Sequence, residues 1–202
     1  EGVRGGAIAG TRALVALDQS APVDRHLPSI LKLIENAGLP LPVTEKSSAV
    51  FQALAEAEAA VHGMPIEKVH FHEVGAVDAI VDIVGAAAGF YLLGIDRIYC
   101  SPLPAGRGEV NTAPGKLPPP APATLELISR RQAPIKGVEL DFELVTPTGA
   151  AIVTTLAEDF GPLPEFTVTG VGYGAGSFDP GYPNFLRAIL GVRSLGLESS
   201  DE

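Results

Sequence analysis

Between Ala76 and Ile95 the chain is almost wholly apolar, and this stretch restricts the folds open to it more than any other. It approaches the length that crosses a bilayer. It carries Asp78 and Asp82, however, and its uninterrupted part, Ile83 to Gly94, is too short to span one. Such a helix must be buried against other protein, so the remaining residues have to build a core around it. A chain of 202 residues can do so, because at that length roughly 70% of the surface exposed on unfolding is buried. Hydrophobic residues make up 46% of the chain and charged residues 19%, which excludes intrinsic disorder. Its 23 Gly and 18 Pro imply short elements joined by shaped loops.

The charge balance narrows the partners. With 24 acidic and 14 basic residues the net charge is -10, which repels phosphate backbones, so neither nucleic acid nor a membrane is an expected partner. One cysteine, Cys100, excludes a disulfide framework, and Glu1-Gly2-Val3-Arg4 is not a secretory leader. A cytoplasmic protein is expected, with homo-oligomerisation left open.

Periodicity and punctuation predict a strand within 7–17 and a helix around Leu27, Ile30, Leu31 and Ile34 that Gly38 stops. A second helix is capped by Ser47 or Ser48, presents Val50, Leu54, Ala57 and Val61, and ends at Gly63 and Pro65. Lys68 to Val74 alternates as a strand, 76–93 is the apolar helix, and Arg97 to Leu103 is a strand. A Pro/Gly loop covers 104–122. Helices follow at 122–131 and 147–158, each with Pro at its first turn. Strands at 165–171 and 184–192 flank a glycine-rich loop at 170–177. Helices and strands mix, so the fold class is α+β, with a strand order that cannot be read. Residues 1–192 form the core and 193–202 a polar tail.

Candidate chemistry concentrates in His70-Phe71-His72-Glu73-Val74-Gly75-Ala76-Val77-Asp78 and continues to Asp82. On a strand His70 and His72 share a face. On the following helix Asp78 and Asp82 stack one turn apart, Asp78 near the positive N-terminal end. Imidazoles and carboxylates converging in this way suit a borderline divalent cation such as nickel, zinc or cobalt. The bland alternative is a packed strand histidine and an aspartate cap. Against it stands the cost of placing two carboxylates in so apolar a helix without a compensating partner.

Two weaker features point to an anion. Gly170-Val-Gly172-Tyr-Gly174-Ala-Gly176 leads into a turn instead of a helix, so it is not a dinucleotide fingerprint. Its backbone N–H groups are expected to form an anion nest, with Arg187 supplying charge. Thr146 or Thr148 caps the helix that Pro147 opens, whose N-terminus also suits an anion.

These stretches together resemble the LarC family of nickel insertion proteins. The matching runs are AEAEAAVHG (55–63), VHFHEVGAVDAIVDIVG (69–85), SPLPAGRGEV (101–110), PAPATLEL (120–127), ELVTPTGAA (143–151), GYGAGS (172–177) and PNFLRAILG (183–191). They cover most of residues 50–191 in the family's order. The resemblance implies nickel insertion into pyridinium-3,5-bisthiocarboxylic acid mononucleotide, driven by CTP with Mg²⁺ or Mn²⁺. The product is the cofactor of lactate racemase-type enzymes, whose apoenzyme is the downstream acceptor. His70, His72 and Glu73 are then transient nickel ligands, with Asp78 and Asp82 as further ligands or orienters. Gly172, Gly174, Gly176, Arg187, Thr146 and Thr148 are assigned to the mononucleotide. The chain departs from the family by offering only His26 where members carry a His-rich stretch. It also has Pro114-Gly115 where His-Gly is usual. A fragment lacking the family's C-terminal CTP module is expected. A non-catalytic nickel carrier, or a metal-dependent hydrolase of a phosphorylated small molecule, are the competing readings.

Overall fold

The computed structural model describes residues 1–16, 26–71, 77–112, 115–176 and 184–193. In chain order the elements are β1 (Gly2–Gly5), β2 (Ile8–Thr11), α1 (Leu27–Glu35), α2 (Leu41–His62), a 3₁₀ turn (Ile66–Lys68), α3 (Val77–Leu92), β3 (Tyr99–Cys100) and β4 (Leu103–Ala105). There follow β5 (Val110–Thr112), β6 (Gly115–Leu117), α4 (Pro122–Arg131), β7 (Ile135–Gly137), α5 (Pro147–Leu156), β8 (Asp159–Phe160), β9 (Thr167–Ala175) and β10 (Phe185–Val192). This is the expected mixed α+β class. The chain divides into two compact units, one made of Glu1–Ala16 with Pro164–Glu202, the other of Leu17–Leu163.

The larger unit is built on α2, which packs against α1, α3, α4 and α5. Its Val50, Phe51, Leu54, Ala55 and Ala57 are fully buried and meet Ile30 and Ile34 of α1 and Ile83 of α3 in one cluster. Burying a large apolar side chain contributes about 1.5–3 kcal/mol, so this cluster dominates the unit's stability. The helix ends where expected. Gly63 adopts φ 61°, and its N–H and that of Met64 reach back to the carbonyls of Ala60 and Ala59, the left-handed stop that glycine tolerates best. Three two-stranded pairings complete the unit: β3 with β8 and β4 with β7 in parallel, and β5 with β6 antiparallel.

Several expectations change. The second helix does not start at Ser47 or Ser48 but at Leu41, where Pro42 lies in the first turn; Ser47 is buried mid-helix. Lys68 to Val74 is not a strand over its described part. Ile66–Lys68 turns as a 3₁₀ helix, and His70 makes only an isolated antiparallel bridge to His26. The strand expected from Arg97 to Leu103 is split into β3 and the start of β4, and the loop expected at 104–122 holds β5 and β6. Of the polar tail at 193–202, residues 194–202 lie outside the described residues.

The smaller unit is one four-stranded sheet of order β1-β2-β9-β10. The presumed glycine loop is its longest strand. Gly170, Gly172 and Gly174 lie in β9, paired with Leu190, Ala188 and Leu186 of β10. Glycine is demanded instead at Gly10 of β2. A Cβ there would lie 2.5 Å from the Phe185 ring and 2.9 Å from the Tyr173 carbonyl oxygen, whereas one at Gly172 meets nothing within 4 Å. Gly10→Ala is therefore expected to cost about 1–3 kcal/mol through overpacking. Gly172→Ala is expected to leave stability unchanged or to raise it by up to about 1 kcal/mol. Urea unfolding of both variants, followed by far-UV circular dichroism, checks the contrast.

Candidate functional site

The larger unit positions the cation-type residues. Phe71 is 1% exposed and packs edge-on against Phe51 of α2, ring centres 6.2 Å apart. Val69 is buried as well. These two anchors hold the exposed His70 between them at the surface, the in-out alternation that an extended segment produces. Opposite His70 lies His26, the residue before α1, whose ring centre is 4.8 Å away with the planes tilted by 49°. In the sequence, His26 stands out only as the one histidine where the family carries a His-rich stretch. No local spacing links it to His70, and the antiparallel bridge brings the two together.

Asp78 and Asp82 occupy the first two turns of α3. The expectation that they sit on a helix buried on most sides is corrected. The buried face is Ala79, Ile80, Ile83 and Ala87, while Asp78, Val81, Asp82 and Gly85 face outward. Asp78 Oδ1 accepts a hydrogen bond from the Ala79 N–H at 2.9 Å. Partial desolvation, followed by repulsion from Asp78, raises the Asp82 carboxyl above the usual carboxylate range, even though its side chain reaches solvent. His72 and Glu73 lie outside the described residues. Among the described residues no three His, Cys, Asp or Glu side chains gather into a metal-holding group. Cys100 is half-buried, and burial pushes its thiol up.

The anion-type residues do not form the expected nest. Gly172 and Gly174 are strand residues whose ladder partners are Ala188 and Leu186. Arg187 pairs across the sheet with Tyr173, so alternation places it on the face opposite Gly172 and Gly174. Gly176, just beyond β9, accepts a hydrogen bond from Arg12 Nε at 3.0 Å through its carbonyl. Thr146 does cap α5, its Oγ1 accepting from the Gly149 N–H at 3.2 Å, while Thr148 lies half-buried in the first turn. Thr146 and Thr148 belong to the larger unit and the glycines and Arg187 to the smaller one.

The long loop docks against residues 139–142, ahead of α5. The Arg107 N–H donates to the Leu140 carbonyl at 2.8 Å, and the Arg107 side chain pairs with Asp141 at 2.8 Å. A Cβ on Gly106 would run into the Phe142 carbonyl. A separate open groove of about 540 Å³ beside the end of α2 is lined by Gln52, Glu56, Met64, Ile66 and Arg130. It contains none of the expected site residues. Its one cation, Arg130, is already paired with Glu56 at 3.1 Å and Glu126 at 2.8 Å.

What the larger unit offers is an exposed imidazole beside a second one, and two outward carboxylates one helical turn apart. Imidazole and carboxylate are donor types that suit a borderline divalent metal. A family model described as Nickel insertion protein matches residues 1–202, and the chain belongs to that family. A protein of Desulfitobacterium hafniense strain DCB-2, named pyridinium-3,5-bisthiocarboxylic acid mononucleotide nickel insertion protein, is 53% identical over 169 residues, 84% of this chain and 42% of that protein. Relatives named for nickel insertion in Geobacter sp. strain M21 and Gloeothece citriformis are 51% and 56% identical. The matches cover 94% and 83% of this chain and 49% and 41% of those proteins. The chain thus spans about half the length of the curated relatives it matches. No solved structure matches it.

The raised Asp82 carboxyl gives a measurable consequence. A carboxyl whose folded-state value lies above its unfolded one opposes folding when ionised. That cost is present at neutral pH and vanishes as pH falls through the folded-state value. In metal-free buffer at pH 7, Asp82→Asn is expected to stabilise the protein slightly, by less than about 0.5 kcal/mol for so exposed a site. The gain should disappear in acid. Thermal melts at pH 7 and pH 4 check both the sign and its loss.

Proposed function

We propose that this chain holds Ni²⁺ for insertion into pyridinium-3,5-bisthiocarboxylic acid mononucleotide. The observation that carries the reading is the surface placement of His70, fixed by buried Val69 and Phe71, a few residues ahead of the outward carboxylates of Asp78 and Asp82. His70, His72 and Glu73 serve as the transient ligands, and Asp78 and Asp82 as further ligands or orienters. Family membership over the whole chain supports nickel as the ion, and the name of the Desulfitobacterium relative supports the mononucleotide as acceptor.

The chemistry follows from ligand softness. Imidazole and carboxylate hold Ni²⁺ without the grip of a closed thiolate cage. The substrate's thiocarboxylate sulfurs are softer donors, so the ion moves downhill from nitrogen and oxygen to sulfur as they displace the protein ligands. Imidazoles freed in this way are positioned to take up protons. CTP with Mg²⁺ or Mn²⁺ is proposed to drive the insertion. A lactate racemase-type apoenzyme is the proposed recipient of the finished cofactor.

Calorimetric titration with Ni²⁺ tests the reading. The His70→Ala, His72→Ala double variant is expected to lose at least ~10-fold in affinity, the scale on which single ligand-shell changes act. Wild-type affinity in that variant would overturn the assignment. Mixing the nickel-loaded chain with the thiocarboxylated mononucleotide should move the metal's absorption bands as sulfur replaces nitrogen.

A further inference from the structure

We infer that His26 is a metal ligand that acts jointly with His70, a role the sequence pattern does not assign to it. The inference rests on the nickel-holding reading and extends it to a residue on a different segment. Two imidazoles bound to one ion at about 2.1 Å have ring centres about 3.2 Å from it, hence about 4.5–5.2 Å apart for ligand–metal–ligand angles of about 90–109°. The His26 and His70 ring centres are 4.8 Å apart, and their planes are tilted by 49° instead of stacked flat. The pair already has the separation that a shared ion requires, so binding needs ring rotation more than backbone movement.

The backbone supports the same conclusion. The antiparallel bridge fixes His26 directly opposite His70. Leu27, 7% exposed, and Ile30 and Ile34, fully buried, seat α1 in the core immediately after His26. Val69 and Phe71 do the same on the other side. Both imidazoles are therefore carried on backbone that packing holds, and a site on such supports loses less entropy on binding than one assembled from free loops. Of the other histidines, His62 is at the end of α2 and is paired with Glu58 at 3.3 Å, which makes it a suitable control.

The test is Ni²⁺ titration of the full chain and of four variants: His26→Phe, His70→Ala, the combination of these two, and His62→Ala. His26→Phe keeps an aromatic ring against His70 but removes both donor nitrogens, and its melting temperature without metal shows whether the fold survives. The expected result is a ~10–100-fold loss of affinity for His26→Phe and for His70→Ala. The combined variant should lose less than the sum in free energy, as expected for two ligands of one ion. His62→Ala should bind as wild type. Wild-type nickel affinity in His26→Phe with a weakened His70→Ala would overturn the role of His26 and leave the nickel-holding reading standing. Wild-type affinity in both would overturn that reading as well. Should His26→Phe melt early, His26→Gln replaces it, and unchanged affinity there counts against the inference in the same way.

Discussion

Every helix of the larger unit is held against α2, and the placement of the candidate metal residues depends on that burial. Phe51 and Leu54 are fully enclosed, and α1, α3, α4 and α5 each contact α2. Removing the Phe51 side chain would open a cavity costing about 3–5 kcal/mol, much of the stability of a domain this size. Phe51 is also the surface on which Phe71 rests. The geometry of His70 is thus inherited from the core: a buried neighbour on either side leaves the imidazole only the solvent side.

The same core explains why the acidic residues of α3 are affordable. The helix buries one face, Ala79, Ile80, Ile83 and Ala87, against α2 and α5 and turns Asp78 and Asp82 outward. Charge enters this apolar segment on the side that faces solvent. The two carboxylates still repel each other one turn apart. A divalent cation would relieve that repulsion, which is where packing, electrostatics and the family's chemistry meet.

How much of this was readable depended on whether the determining interaction was local. α4 matches its expected span and α5 its expected start, because Pro122 and Pro147 mark their first turns and Thr146 caps the second. The start of α2 was missed because Ser47 and Ser48 have the composition of caps, while Pro40 and Pro42 carry the real boundary; Ser47 ends up inside the core. The glycine run reads as a loop by composition, although its glycines recur with the period of two that a strand shows. Pairing with β10 makes it one. The pairing of His26 with His70 was invisible for a different reason. It is a tertiary contact between segments far apart in the chain, and neither segment's local pattern records it. His72 and Glu73 lie outside the described residues.

The central claim is that nickel is held by imidazole and carboxylate donors, and not by sulfur. Cys100 is the chain's one cysteine; it is half-buried, and its thiol is pushed toward the protonated state. Nickel K-edge X-ray absorption of the metal-loaded chain reads the donor atoms directly. The account predicts a first shell of nitrogen and oxygen with the outer-shell scattering of at least one imidazole. A nickel–sulfur shell, or a first shell without imidazole scattering, would contradict it.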